Sequence, residues 1–257
     1  MTSGSYLILL TNDDGIHAEG LRLLRRVMRE IGAVAIVAPD AERSAVGHAI
    51  TLYDPIRVHE VTRNGEFYGH AVAGTPADAV KLAVNSLLPR RPDLVIAGIN
   101  NGANVGFNVL YSGTVSAATE AAILGVPAMA VSLAQKKDPP FEFALPHVAL
   151  LARWILREGL PRGVALNVNI PAIPPDEISG YRLTRQCLAP YWDSYEQRED
   201  PRGNIYYWLS GEVPPEEKDE TVDVTALKRG YVSITPLFYD LTAHNCRLAL
   251  DGLPEKP

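Results

Sequence analysis

The chain has 257 residues, enough for one principal domain with a sizeable buried interior. Its 24 basic and 30 acidic side chains leave a formal net charge of -6, so bulk charge supplies no sequence-independent grip on a nucleic-acid duplex, although small anionic ligands stay open. With 47% hydrophobic residues and 20 each of glycine and proline, the composition excludes a disordered or repetitive chain. Cys187 and Cys246 are too few for a disulfide framework or a cysteine metal site and read as packing residues. The residues before Tyr6 lack the basic region and cleavage pattern of an export signal, and no apolar run approaches a membrane span, so a cytoplasmic protein without a membrane partner is expected.

Tyr6 to Thr11 is an unbroken apolar run that predicts a strand buried on both faces. Leu21, Leu24, Val27, Met28 and Ile31 then recur at helical spacing, and Ala33 to Ala38 predicts the next strand, ended by Pro39. After the turn Gly74 to Asp78, a helix through Val80, Leu82, Ala83 and Leu87 leads to a strand at Leu94 to Ala97. The rhythm continues with a helix at Thr114 to Leu124, a strand at Ala128 to Leu133, a helix at Phe143 to Leu156 and a strand at Val164 to Val168. Alternation of this kind predicts an α/β fold, a doubly wound, mostly parallel, Rossmann-like sheet whose ligand crevice lies beyond the carboxyl ends of its strands.

The pattern changes after Pro171. Tyr181 to Ala189 and Ile205 to Leu209 look extended, Gly211 to Asp219 is a proline- and acid-rich linker, and Gly230 to Pro236 predicts a strand returning to the core. The expected division is a catalytic core at 1–170 and 229–244, an extended C-terminal arm with β segments at 171–228, and a tail at 245–257. Tyr191, Trp192, Tyr195, Tyr206, Tyr207 and Trp208 make the arm aromatic, which suits ordinary packing, a subunit interface or a base-stacking wall.

The strongest local signal is Thr11-Asn12-Asp13-Asp14-Gly15 at the tip of the first strand. Adjacent carboxylates turned into a closed crevice repel unless a cation or donors compensate them, and a hard divalent metal does so; the plainer alternative is a cap for the next helix. Ser44 offers a hydroxyl in the loop after the second strand, and Asn100, within Gly98-Ile-Asn-Asn-Gly102, a neutral oxygen. Ser112, Gly113 and Thr114 precede a helix, so they form either a phosphate cradle or a simple N-cap. Glu120 falls mid-helix as a supporting or surface residue, and His17 and His48 lie close in sequence to the loops as donors or surface groups.

The chain has no phosphate loop ending in Gly-Lys-Ser/Thr, no His-Glu-x-x-His, no Gly-x-Ser-x-Gly and no dinucleotide glycine turn after its first strand. A phosphoacceptor receiver domain also places paired acids after its first strand, but Asn100 stands where that module needs an aspartate, and the chain is much longer than such a module.

Assembled, these residues resemble the SurE family of survival-protein-E phosphatases. The matching pieces are Leu9 to Gly15 with Gly20, Ala38-Pro-Asp40 with Ser44 and Gly47, Gly74 to Asp78, Gly98 to Gly106, Tyr111 to Val115 and Gly230 to Pro236, in family order along almost the whole chain. The resemblance implies that Asp13, Asp14, Ser44 and Asn100 hold one divalent cation per subunit, Mg2+ or Mn2+, with Asn12, Ser112, Gly113 and Thr114 at the scissile phosphate. It implies hydrolysis of nucleoside 5'- and 3'-monophosphates, with Asp13, Asp14 and Asn12 as the catalytic set, Asn100 shared between metal and phosphate, and homodimers or homotetramers that exchange the arm. Asn108 stands where an acid is common in the family, and Ala121 where glycine is common. The alternative from another class is a nucleotide-binding regulatory or assembly protein that has lost turnover.

Overall fold

The computed structural model describes residues 6–134, 137–189, 192–212 and 219–244. Tyr191, most of the stretch Gly211 to Asp219, and the tail 245–257 with Cys246 lie outside them.

Six strands run parallel at the centre: β1 (Leu7–Thr11), β2 (Ala33–Pro39), β4 (Glu66–Val72), β5 (Leu94–Asn101), β6 (Ala128–Leu133) and β7 (Val164–Ile170). With β3 (Val58–Arg63), β8 (Gly180–Leu183) and β11 (Tyr231–Phe238) they form one nine-stranded sheet in the order β3-β4-β2-β1-β5-β6-β7-β11-β8. The apolar runs are continuous because both faces are covered. Alternate residues divide between two cores. Ile8, Leu10, Ile96 and Val131 pack under α1 (Glu19–Met28) and α5 (Leu145–Glu158), whereas Leu9, Val95, Ala97 and Ala130 pack under α2 (Pro76–Leu82) and α4 (Gly113–Ile123). A short α3 (Asn108–Tyr111) precedes α4. Ala117, Ala118, Ala121 and Ala122 give α4 a small-residue face, so the helix lies close to the sheet.

Two features depart from the periodicity reading. The hairpin β3-β4 occupies a stretch where the pattern suggests no element; it turns on Asn64 and Gly65, both at positive φ (54° and 79°), the backbone a two-residue hairpin turn demands. Strand β5 continues past Ala97 to Asn101, its pairing with β6 shifting between Ala97 and Asn100. At Gly98 (φ 135°) a Cβ would lie 2.4 Å from the Val131 carbonyl oxygen, so only glycine admits this passage.

Within 171–228, β8 pairs in parallel with β11, and α6 (Asp223–Lys228) packs on β11. β9 (Trp192–Glu199) and β10 (Ile205–Glu212) pair only with each other among the described residues. Tyr195, Tyr207, Trp208 and Leu209 of this hairpin are exposed.

The turn at Gly74 to Asp78 has a mechanical explanation. Thr75 and Asp78 form a reciprocal capping box at the start of α2. Asp78 also reaches out of the helix: its carboxylate accepts from the Thr51 N–H at 2.9 Å and the Thr51 hydroxyl at 2.6 Å, and Thr75 Oγ1 donates to the Ala49 carbonyl at 2.7 Å. Burial pushes this carboxyl up, but the bonds from Thr51 and Thr75 outweigh it and hold it below the usual range. The box thus latches the chain beyond the Ser44 loop onto the α2 N-terminus.

Replacing Asp78 by Asn sets a donor nitrogen where one of two acceptor oxygens stood in a buried cluster, and chemical denaturation should show a loss of about 2 kcal/mol. A second expectation concerns His147, whose Nδ1 lies 2.8 Å from the Tyr181 hydroxyl while its buried Nε2 has no partner. Burial pushes its folded-state pKa below the ordinary 6.5, so its contribution is complete above that value and is lost as the pH falls below it. Between pH 7.5 and pH 5.5 the melting temperature should therefore drop further in the native protein than in His147→Phe.

Candidate active site

The loops after β1, β2 and β5 meet because those strands are neighbours, β2-β1-β5, and point the same way. Backbone bonds join the loops directly: Ile16 N–H donates to the Pro39 carbonyl at 2.8 Å, Arg43 N–H to the Asp13 carbonyl at 2.7 Å, and Gly47 N–H to the Tyr111 carbonyl at 3.1 Å. The start of α4 closes the ring, where the Thr114 hydroxyl donates to Asp13 Oδ1 and the Thr114 backbone N–H also supports that carboxylate. A Cβ on Gly113 would lie 2.8 Å from Asp13 Cβ and 3.0 Å from Asp13 Oδ2, so the first turn of α4 reaches the carboxylate only because this residue is glycine.

Asp13 is 6% exposed. Burial raises its pKa, the Thr114 bonds oppose the rise, and the charge of Glu42 adds to it. Asp14 is pushed up to about 6, first by burial and then by the negative charges of Asp13 and Glu42. Glu42 is absent from the sequence-based site; its signal was an acid in the same loop as Ser44. The Ser44 hydroxyl donates to Glu42 Oε1 at 2.7 Å and is exposed.

The remaining candidates sit as follows. Asn12 is buried, its Nδ2 donates to the Gly15 carbonyl at 2.9 Å, and its Oδ1, like the Thr11 hydroxyl, has no partner. Asn100 Nδ2 donates to the Gly102 carbonyl at 2.8 Å, which leaves the carbonyl end of the amide to accept or ligate. Ser112 is the N-cap of α4, its hydroxyl accepting from the Val115 N–H at 3.1 Å. Asp13, Gly113 and Thr114 are therefore in direct contact, whereas Ser44 and Asn100 bond to their own loops and not to the aspartates.

Among the described residues no group of three or more His, Cys, Asp or Glu side chains is arranged to hold a metal. A cation in this crevice would need the mixed set of two carboxylates, the Asn100 amide oxygen and the Ser44 hydroxyl. All four are hard oxygen donors, the chemistry Mg2+ and Mn2+ prefer. The unpartnered buried Asn12 Oδ1 and the raised pKa values of both aspartates mark a crevice rich in negative charge and lone pairs, and the residues fit such an ion.

Glu120 is buried. Its carboxylate takes Lys81 Nζ at 2.6 Å and His48 Nε2 at 2.9 Å; burial raises its pKa, but these two partners prevail and lower it. His48 thus ties the Ser44 loop to α4, whereas His17 is exposed. Beneath the glycine-rich loop, buried Asn104 exchanges bonds with Asn169, Ser132 and Asn167 at 2.7 to 3.1 Å. An apolar groove of about 740 Å³ lined by Trp154, Leu160, Tyr181 and Leu183 lies elsewhere, between α5 and the β8 side of the sheet, and contains none of these groups.

A model of the family described as survival protein SurE matches residues 8–193. The chain is 52% identical over 235 residues to the 5'-nucleotidase SurE of Syntrophobacter fumaroxidans, covering 91% of this chain and 94% of that one. It is 50% identical over 246 residues to the 5'-nucleotidase SurE of Syntrophus aciditrophicus, covering 95% and 91%. The solved structure of the SurE protein from Aquifex aeolicus superposes with a TM-score of 0.82 at 38% identity, covering 93% of this chain and 96% of that one. A match of this extent, in sequence and in fold, places the chain in the SurE family.

Proposed function

We propose that the protein is a divalent-metal-dependent phosphoric monoester hydrolase that cleaves nucleoside 5'- and 3'-monophosphates to nucleoside and inorganic phosphate. The observation that carries the reading is the burial of Asp13 against the first turn of α4, which sets an acidic pair beside backbone donors suited to a phosphate. The relatives named as 5'-nucleotidases support the substrate class.

One Mg2+ or Mn2+ per chain would be held by Asp13, Asp14, Ser44 and Asn100. When bound, it supplies charge neutralisation and polarisation of a phosphoryl oxygen. The chain's own residues do the rest. The Ser112-Gly113-Thr114 turn binds the phosphate through the Ser112 and Gly113 N–H groups at the helix start, the Thr114 N–H being engaged by Asp13, and the Asn12 and Asn100 amides flank it. Asp13, held by Thr114, orients the water whose oxygen attacks phosphorus as the ester oxygen leaves. Asp14 completes the negative charge that the cation offsets.

The β9-β10 hairpin supports a homodimer or homotetramer, because a two-stranded hairpin with exposed Tyr195, Tyr207 and Trp208 gains little stability alone in water. The net charge of -6 supports a small-molecule substrate over a nucleic-acid duplex.

Phosphate release from a panel of nucleoside 5'- and 3'-monophosphates tests the reading, with Mg2+ or Mn2+ added and with chelator as the control. Release is expected with metal and not with chelator; its absence from folded, metal-supplied protein would point to a nucleotide-binding protein without turnover. Asp13→Asn and Asp14→Asn should each lower kcat about a hundredfold or more, by analogy with loss of one electrostatic group. Gly113→Ala should keep its far-UV circular dichroism yet lose about a hundredfold in kcat, because the added methyl displaces Asp13.

A further inference from the structure

A carboxylate outside the proposed machinery is tied to it. Asp223 opens α6 and is fully buried. Its Oδ2 accepts the Gly106 N–H at 2.9 Å, and its Oδ1 accepts the Cys187 N–H at 3.0 Å and the Val224 N–H at 2.8 Å. The Val224 bond is local to α6. The other two join distant parts of the chain.

Gly106 belongs to the loop between Asn100 and the Ser112 turn. Cys187 lies on the segment that leads from β8 into β9, the root of the hairpin. The same segment holds Gly106 a second time, since Gln186 Nε2 donates to the Gly106 carbonyl at 2.9 Å. The Asp223 N–H in turn donates to the Arg185 carbonyl at 3.0 Å. Val105, Cys187, Val222 and Val224 form a small apolar cluster of their own at this junction. A local cap for α6 needs only a short neutral acceptor, whereas a fully buried carboxylate carries a desolvation cost that strong charge-assisted bonds must offset.

We infer that Asp223 is a positioning residue for phosphate monoester hydrolysis: it fixes Gly106, and with it the loop between Asn100 and Ser112, to the root of the β9-β10 hairpin. This rests on the hydrolase reading above. The hairpin root and the active-site loop share one anchor, so whatever holds the hairpin also steadies the loop.

Asp223→Ala in the full chain is the test, because it removes both acceptor oxygens and with them the ties to Gly106 and Cys187. Hydrogen exchange of the metal-free protein should accelerate about tenfold in peptides covering 101–109 and 185–189 while β1 and β6 exchange as in the native protein. A role in stability alone would raise exchange across the whole sheet. With a nucleoside monophosphate and Mg2+ or Mn2+, kcat should fall about tenfold, a loss expected from a slight misplacement of the site, with a smaller change in KM. Native-like exchange at 101–109, or faster exchange there with unchanged kcat, would overturn the inference. Should Asp223→Ala fail to fold, Gln186→Ala removes the second tie, and faster exchange at 101–109 supports the anchor while native-like exchange overturns it. If the native protein releases no phosphate, the hydrolase reading fails, and the exchange result alone decides whether Asp223 anchors the loop.

Discussion

The buried contact between Asp13 and the start of α4 is the constraint on which the rest depends. A carboxylate that is 6% exposed is stable only if something answers its charge, and here the Thr114 hydroxyl and N–H do part of that. The contact demands a glycine at 113, a β1 strand short enough to end at the crevice, and an α4 that lies close to the sheet on its alanine face. It leaves Asp14 with a pKa of about 6, a carboxyl under pressure from burial and from its neighbours' charges. That residual pressure is the electrostatic reason the crevice suits a cation.

The other motifs serve the same contact from further away. Arg43 and Gly47 bond the β2 loop to Asp13 and Tyr111 through backbone alone, so side-chain pattern does not reveal them. Asp78 latches the far end of that loop through Thr51, and Glu120 grips it through His48 while Lys81 supplies a positive charge to the same carboxylate. A turn, a mid-helix acid and a lone histidine, each unremarkable by itself, thus act on one loop.

The parallel strands were legible because burial on both faces writes apolar runs into β1, the first half of β5 and most of β6, and into β7 up to the buried Asn167. The hairpin β3-β4 was not, since most of β3 is exposed and its alternation is weak; the Asn64-Gly65 turn was the signal to read. In β9, Tyr195 is exposed and its neighbours are polar, so little in the segment distinguishes it from a loop. Among the candidate residues, Asn12, Asp13, Asp14 and Asn100 stand out in the sequence because their types are unusual at the ends of apolar strands, and the Ser112 turn because it opens a helix. Glu42 acts through charge across a loop, and Asp223 through the backbone N–H of Gly106, 117 residues earlier in the chain; spacing shows neither.

The central claim is that the charge left on Asp13 and Asp14 is there to hold a divalent cation. The most direct measurement is calorimetric titration of Mn2+ into chelator-stripped protein, native and Asp14→Asn, with no nucleotide present. One cation per chain should bind the native protein, and the variant should bind at least about tenfold more weakly, since metal affinity depends on each ionised oxygen ligand. Equal affinity in the two proteins, or no saturable binding to the native one, would contradict the account.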